Sequence, residues 1–418
     1  MRAVLKLAVL IATCLVLVLA VFAALPSPSG AGQATQAAAQ VPLVRGTVAA
    51  RLEFRVHNGL VTIPVRVNGS RELRMYLDTG MAAPVTVLFH KESIEELGLK
   101  AGPKVFVGGA GGESRKQAIV APGAAVEAGA IRLDNQPLVV MDDARDASEW
   151  SVDGIIGKSL FDRYLTEIDY DRSAVTFYEP AGAEVDPDAA SIPIDLATGY
   201  PIIEGAVVLE NGAKVPLKFV VDIGHKNALS LHEDPDKGVL PPQRTLESIG
   251  GRGIQGVIPA RIGRIKALEL GAFTVADVPT AFLAPGTNAG ISRATAAGNV
   301  GSLVWSRFKV LLDYANKRMF LVPGSRAAKP VPFNMAGLVL EQGRDDVYFV
   351  RHVAEGSPAF EAGLQAGDRV TALNGVELRK LTFSRTLDLF NAPGRKVKLT
   401  VERNGVSFKK TVRLRRLI

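Results

Sequence analysis

The sequence is poor in the residues on which thiol and metal chemistry depend. Its single cysteine, Cys14, lies in an apolar segment near the start, so no intramolecular disulfide can form and the rest of the chain has no thiol nucleophile or cysteine metal site. The five histidines form no clustered His/Glu motif, which argues against a zinc hydrolase. We therefore expect the protein to work without a metal or another cofactor.

The middle of the chain also lacks a net charge of either sign. The whole chain carries +7, of which residues 331–418 supply +6 (15 Lys and Arg against 9 Asp and Glu) and Arg2 and Lys6 supply +2, which leaves −1 for residues 26–330. This part has no basic excess for binding nucleic acid. We interpret the C-terminal excess as charge on an edge strand that blocks unwanted pairing; the alternative is a site for a membrane surface or a polyanion.

Residues 1–25 predict a signal peptide or a membrane anchor. Arg2 and Lys6 precede an uncharged, mostly apolar stretch from Leu7 to Leu25, a length between that of a signal core and that of a spanning helix. Residues 26–48, rich in Ala, Gln, Ser and Gly, predict a flexible linker. We expect an exported protein, with the leader either cleaved or kept as an anchor, which cell fractionation can test.

The remaining sequence contains a long internal repeat of β-type patterns. The strand-like Met75-Tyr76-Leu77 leads into Asp78-Thr79-Gly80, and Phe219-Val220-Val221 leads into Asp222-Ile223-Gly224. Two further landmarks recur at the same offset of 144 residues, Gly157 with Gly301 and Asp169 with Asp313. Such a long period predicts a duplicated lobe, with halves at 49–182 and 183–326, rather than a short-period solenoid. The 41 Gly and 24 Pro favour strands and tight turns in both.

Two glycine-rich segments occupy corresponding places in the halves. The first contains Gly108, Gly109 and Gly111, and the second contains Gly251 and Gly253. We interpret them as the tips of mobile hairpins that could close over a cleft, the alternative being ordinary flexible loops.

The paired motifs around Asp78 and Asp222, with those that end at Gly157 and Gly301, resemble aspartic proteases of the retropepsin and pepsin type. The last segment resembles a PDZ domain, through Gly337–Leu340 and the stretch from Gly356-Ser357-Pro358-Ala359 to Gly367-Asp368. Together they resemble bacterial exported aspartyl proteases that carry a C-terminal PDZ domain. The resemblance implies a mainly β fold with two acid-protease β-barrel lobes and a PDZ domain at 327–418. It also implies a location in the periplasm or cell envelope.

The resemblance also assigns roles to residues. Asp78 and Asp222 would activate a water molecule for peptide hydrolysis, and the two glycine-rich segments would be flaps. The residues that would support the active site are Thr79, Gly80, Gly224, Gly157 and Gly301. The PDZ groove, formed by Gly337, Leu338, Val339 and Leu340, would bind a peptide C-terminus and aid substrate access. The expected partners are peptides or unfolded proteins, without nucleic acid, and the expected state is a monomer that the leader could attach to a membrane.

Position 223 leaves two alternatives open. Ile223 has no hydroxyl group where the family has a threonine that holds the two lobes together. The alternative function is therefore a non-catalytic peptide-binding pseudoprotease with a PDZ interaction module. A further alternative pairs lobe 1 with lobe 1 of a second chain. His225, which follows the second motif, either tunes Asp222 or is a structural, solvent-facing residue.

Overall fold

The structure is a computed structural model and describes residues 43–112, 115–142, 151–343 and 347–418. The predicted signal peptide or anchor at 1–25 and residues 26–42 of the predicted linker lie outside these ranges. Residues 43–418 form one compact unit. Within the described ranges, every helix is too short or too polar to cross a membrane.

Lobe 1 (residues 43–182) is built mostly of strands. They are β1 Val44–Arg45, β2 Val48–Glu53, β3 Arg55–His57, β4 Leu60–Val67, β5 Leu73–Leu77, β6 Thr86–Leu88, β7 Lys104–Val107, β8 Lys116–Ala128, β9 Ile131–Met141, β10 Gly154–Ile156, β11 Leu165–Asp169 and β12 Ala174–Tyr178, with the short helices α1 Ser93–Glu96 and α2 Lys158–Phe161. One sheet runs in the order β3-β4-β5-β10-β6-β9-β8-β7, and a pairing of β4 with β8 curls it into a barrel-like layer. Ile63, Val65 and Val67 alternate into its core, as expected for a strand with one buried face.

Lobe 2 (residues 183–326) repeats this plan. Its elements are β13 Glu184–Val185, β14 Ser191–Pro193, β15 Ile202–Val208, β16 Lys214–Val221, β17 Leu229–His232, a 3₁₀ turn Pro235–Lys237, β18 Leu246–Gly253, β19 Gly256–Leu270, β20 Phe273–Leu283, β21 Gly298–Val300, α3 Ser302–Trp305, β22 Phe308–Asp313 and β23 Arg318–Pro323. The sheet order is β15-β16-β21-β17-β20-β19-β18, again closed by an extra pairing, here of β15 with β19. The two lobes therefore place β5 and β16 in equivalent positions.

A shared sheet joins the lobes. Its order is β14-β23-β22-β11-β12-β2, and its central pair is β11 of lobe 1 with β22 of lobe 2, antiparallel, with Ile168 opposite Val310. One apolar core runs through both lobes and includes Leu77, Phe177, Phe219 and Trp305, all essentially inaccessible to solvent. The lobes are thus fixed to each other by hydrogen bonds and by a common core.

The predicted linker ends too late in the sequence. β1 pairs with β13, so residues 44–45 are part of a sheet rather than of a flexible segment. Leu43 and Val44 are buried against Leu311 and Phe320. Their apolar side chains explain why the chain is ordered from this point, because burial removes them from water.

The C-terminal domain (residues 327–418) has its own core. Its elements are β24 Leu338–Gln342, β25 Tyr348–Val353, α4 Pro358–Glu361, β26 Arg369–Leu373, β27 Val376–Glu377, a 3₁₀ turn Leu378–Lys380, α5 Phe383–Phe390, β28 Lys396–Arg403 and β29 Val406–Arg413. The sheet runs β24-β25-β26-β28-β29, so that β24 is an edge strand. The end of the domain packs on lobe 2, where Ile418 joins a cluster with Ile258 and Leu283.

Candidate active site

The same turn places an aspartate at the end of β5 and of β16. Each strand lies parallel to a short partner, β5 to β10 and β16 to β21. The backbone N–H of Asp78 donates to the carbonyl of Ile156 at 3.0 Å, and that of Asp222 donates to the carbonyl of Val300 at 3.0 Å. Both carboxyl groups leave their strands where the ladder ends, and they face each other across the boundary between the lobes.

Glycine is required at the four supporting positions because the backbone passes so close to its neighbours. A Cβ atom on Gly80 would lie 2.8 Å from Oδ1 of Asp222, and one on Gly224 would lie 2.3 Å from Oδ1 of Asp78. A Cβ on Gly157 would lie 1.8 Å from the carbonyl oxygen of Asp78. At Gly301 the obstacle is the carbonyl oxygen of Asn227, at 2.2 Å. A side chain at any of these positions would force the aspartate loops apart.

Thr79 connects the two aspartate loops. Its hydroxyl donates to the carbonyl oxygen of Val221 at 2.5 Å and accepts the N–H of Ile223 at 3.0 Å. It therefore holds the backbone on both sides of Asp222. Ile223 is fully buried in the common apolar core, so the position without a hydroxyl contributes packing instead. The resemblance implies a connecting threonine in each lobe, whereas here the Thr79 side chain of lobe 1 makes the connection alone.

Burial dominates the electrostatics of the pair. It raises the pKa of both carboxyl groups, and the negative charge of Asp78 raises the pKa of Asp222 further. Opposing this, Gly80 N–H donates to Oδ1 of Asp78 and the Asn299 amide donates to Oδ2 of Asp222, each at 2.6 Å. Because only the pKa of Asp222 is raised by the charge of its partner as well as by burial, Asp222 keeps its proton to higher pH. Such interacting groups titrate as a pair.

Three residues of the site were not among the predicted site residues. Asn299 binds Asp222, as described above. The pKa of Tyr200 is raised by burial and by both aspartate charges, which places its ring near the pair. His225 lies half-buried in the cleft wall, with Nε2 2.8 Å from the Ser230 hydroxyl, rather than facing solvent. The sequence did contain a signal for Asn299: the repeat aligns it with Ile155 of the first half, so that a polar residue occupies a position that is apolar in the other lobe.

A cleft of about 510 Å³ contains the two aspartates and is roofed by both glycine-rich hairpins. Gly108 and Gly109 line it from lobe 1, and Gly253 and Ile254 line it from lobe 2. Most of its other lining is apolar. This composition suits a peptide whose side chains leave water on binding.

The two hairpin tips touch each other. Gly111 and Gln255 form a bridge, the Gln255 N–H donates to the carbonyl of Ala110 at 3.0 Å, and the Gly112 N–H donates to that of Gln255 at 3.1 Å. A Cβ on Gly253 would lie 2.3 Å from the Ala110 carbonyl oxygen. Gly251 is not at this contact between the tips and lies near the His225 ring instead. The bonds between the tips close the roof above the two aspartates.

The predicted groove of the C-terminal domain faces lobe 2. A cavity of about 170 Å³ lies between β24 and α5. Its lining from this domain includes Gly337, Leu338, Val339, Leu340, Phe383 and Leu387. Its opposite wall includes Leu246 and Ile249 of β18, the strand whose next residue, Gly250, lines the aspartate cleft. One strand of lobe 2 thus separates the two cavities.

Lobe 1 covers the far end of the same edge strand. The N–H of Gln342 donates to Oδ1 of Asn58 at 2.5 Å, and the Asn58 amide donates to the Gln342 carbonyl at 3.2 Å. These are the bonds that an added strand would make there. These bonds leave the edge of β24 from Leu338 to Glu341 uncovered by lobe 1.

Across the described ranges, no group of three or more His, Cys, Asp or Glu side chains is arranged to hold a metal ion.

A pair of facing aspartates at the junction of two β lobes is the arrangement of an aspartyl protease. Residues 63–160 match the family model described as an aspartyl protease, and residues 336–414 match the model of a PDZ domain. The chain therefore contains a domain of the aspartyl protease family and a PDZ domain, and the predicted mainly β fold class is confirmed. Asp222 lies outside the matched range, and its assignment depends on the geometry above.

Two known proteins are similar to parts of this chain. Tight junction protein ZO-3 of Canis lupus familiaris is 38% identical over 95 residues, which are 22% of this chain and 11% of that protein. The crystal structure of an aspartic proteinase from Irpex lacteus superposes with a TM-score of 0.45 and 14% identity, covering 68% of this chain and 99% of that one.

The role of the Thr79 hydroxyl can be tested by stability measurements. Thr79→Val keeps the shape of the side chain but leaves the buried N–H of Ile223 without a partner. We expect it to lower the free energy of unfolding by about 1–3 kcal/mol. Thr79→Ser, the matched control, keeps the hydroxyl and should lose less. Equal loss in both variants, measured by denaturant unfolding followed by circular dichroism, would show that the methyl group matters and the hydrogen bonds do not.

Proposed function

We propose that the chain is an aspartic-type endopeptidase in which Asp78 and Asp222 activate a water molecule. The observation that carries this proposal is the close approach of two buried carboxyl groups inside a roofed, largely apolar cleft. Two carboxyl groups that lie this close together do not both ionise readily, so one holds a proton while the other acts as a base. A site of this kind needs no metal ion and no side-chain nucleophile.

The hydrogen bonds of the pair favour a division of roles. Asp78, which accepts the Gly80 N–H, is the base and takes a proton from water as its oxygen attacks the peptide carbonyl carbon. Asp222, whose pKa is raised further, gives its proton to the carbonyl oxygen. The tetrahedral intermediate breaks down when the proton held by Asp78 passes to the leaving nitrogen and the C–N bond breaks, while a hydroxyl of the intermediate returns a proton to Asp222, so that the carboxyl product forms and the pair regains its starting protonation.

The substrates that fit this cleft are extended peptides and unfolded segments. A folded chain does not fit below hairpin tips that meet at Gly111 and Gln255. The PDZ groove would hold the C-terminus of the same substrate, because it opens toward lobe 2 and shares β18 with the cleft. This is the way in which the domain would aid substrate access.

The experiment that tests the function is cleavage of a diverse peptide pool by the full chain and by two variants. We expect Asp78→Asn and Asp222→Asn each to lower kcat by about a hundredfold to ten-thousandfold, because each removes one partner of the acid–base pair. Product formation followed by mass spectrometry is the measurement. Circular dichroism provides the folding control.

Other outcomes would support the alternatives. Cleavage that survives Asp222→Asn but not Asp78→Asn would indicate pairing of lobe 1 between two chains. Absence of cleavage at every pH, with peptide binding intact, would identify a peptide-binding pseudoprotease. The feature that favours this alternative is Ile223, a buried isoleucine where the family has a threonine.

The raised pKa values predict the pH range of activity. The acid limb of the kcat/KM profile reports protonation of Asp78 as pH falls, and the alkaline limb reports loss of the Asp222 proton as pH rises. Since both pKa values are raised, we expect both limbs above the ordinary aspartate value of 3.8. Asn299→Leu removes a donor that favours ionised Asp222, so the alkaline limb should move up by about one pH unit, the typical effect of one such bond on a carboxylate.

Ile155→Leu is the matched control for Asn299→Leu, because it changes the corresponding position of lobe 1 without altering a bond to either aspartate. It should leave both limbs in place. An alkaline limb that moves equally in the two variants would mean that cleft shape, and not the amide donor, controls the proton on Asp222.

The contribution of the PDZ groove can be tested with matched substrates. A peptide that ends in an apolar residue with a free carboxylate should have a lower KM than the same peptide with an amidated end, by about tenfold, the effect of roughly one charge-assisted hydrogen bond. The kcat values should agree, since the dyad is unchanged. Equal KM values for the two peptides would show that the groove does not contribute to substrate binding.

A further inference from the structure

The two walls of the cleft that flank the aspartates have equivalent backbones, but the wall from lobe 1 is apolar and the wall from lobe 2 is polar. β10 pairs with β6, with Ile155 opposite Val87, and β21 pairs with β17 in the equivalent way, with Asn299 opposite Ser230. The residue after each aspartate loop completes the wall. The lobe 1 wall is Met81, Val87 and Ile155, and the lobe 2 wall is His225, Ser230 and Asn299; all six line the cleft.

The lobe 2 wall has hydrogen-bonding capacity to spare. The Ser230 hydroxyl lies 2.8 Å from Nε2 of His225, and the Asn299 amide nitrogen donates to Asp222 at 2.6 Å. Among the described residues, nothing bonds to Oδ1 of Asn299 or to Nδ1 of His225. Both side chains are half-buried, so leaving these atoms against an apolar ligand costs free energy.

This wall is polar but uncharged at the pH of catalysis. Burial, with the charge of Lys226, lowers the pKa of His225 to about 4. The charged groups near this wall are Asp78 and Asp222 in the cleft, Arg252 of the roof hairpin, which lies 3.7 Å from Glu341, and Lys226, which lines the neighbouring cavity. An acidic substrate side chain would meet the dyad charge, and a basic one would be repelled by the positive charge of Lys226, which also acts on His225. The chemistry that fits is an uncharged hydrogen-bonding side chain.

We propose that the cleft binds peptides with an apolar side chain on the lobe 1 side of the dyad and an uncharged polar side chain, such as that of glutamine, on the lobe 2 side. Successive side chains of an extended peptide point to opposite sides, so the two residues flanking the bond at the dyad face different lobes. The inference deepens the proposed function and depends on it for the position of the bond. Binding selectivity, however, can be measured without cleavage.

The test uses the full chain with Asp78→Asn, which binds without turnover. The ligands are peptides of identical flanks and amidated ends, which deprive the PDZ groove of a carboxylate, with central pairs Leu-Leu, Leu-Gln, Gln-Leu, Leu-Glu and Leu-Lys. We expect one of the two glutamine peptides to bind about tenfold more tightly than Leu-Leu, as one or two neutral hydrogen bonds allow. The Glu and Lys peptides should bind less tightly than that peptide.

A wall exchange then locates the selectivity. His225→Met with Ser230→Val gives two of the three positions of the lobe 2 wall the apolar chemistry of lobe 1 while keeping the Asn299–Asp222 bond, and the advantage of the preferred glutamine peptide over Leu-Leu should fall well below tenfold. Met81→Leu with Val87→Ile is the matched control and should keep the preference for glutamine. If the exchanged protein does not fold, Ser230→Ala should still reduce the difference in affinity between the preferred glutamine peptide and Leu-Leu.

Two results would overturn the proposal. One is Leu-Leu binding as tightly as both glutamine peptides to the Asp78→Asn chain, and the other is binding of none of the peptides. Neither depends on turnover, so a wild-type chain that binds with the expected selectivity but does not cleave would contradict the proposed function and leave the subsite intact.

Discussion

Two hydrogen bonds of one hydroxyl hold the two aspartate loops of this protein together. The Thr79 side chain binds the backbone on both sides of Asp222, 142 and 144 residues away. Around this contact, Gly80 and Gly224 allow the loops to approach, and the shared sheet keeps the lobes from sliding. A buried hydroxyl that satisfies two backbone groups is difficult to replace, because its loss leaves those groups desolvated and unpaired. The connection can therefore operate from one lobe only, while Ile223 gives the other lobe additional core.

The duplication supplies a symmetric frame on which the lobes have diverged. Equivalent backbones deliver Asp78 and Asp222, yet Ile155 is replaced by Asn299, which binds Oδ2 of Asp222. This breaks the equivalence of the two carboxyl groups, because Asp222 accepts an amide side-chain hydrogen bond at the place where lobe 1 has an isoleucine. Unlike environments are what separate an acid from a base in a pair of identical residues. The asymmetry also extends to the walls of the cleft on either side of the pair.

The position of the PDZ domain connects two recognition surfaces through one strand. β18 presents Ile249 to the PDZ groove and Gly250 to the cleft, and its hairpin reaches the roof at Gly253. Arg252 of the same hairpin lies 3.7 Å from Glu341 on the edge strand of the PDZ domain. A hairpin held at its base by one domain and at its tip by the opposite hairpin has few independent ways to move.

The sequence by itself determined the repeat, the two aspartates, the glycines around them, the glycine-rich hairpins and the PDZ segment, because each is a local pattern: an apolar run, a turn residue or a fixed spacing. It placed the start of the fold a few residues late, since the partner of β1 lies far along the chain. Only the tertiary structure decided that Thr79 serves both loops, that Asn299 binds Asp222 and that the hairpin tips meet at Gln255. These contacts join residues that are distant in sequence, and they exist only because the docking of the lobes brings the side chains within hydrogen-bond distance.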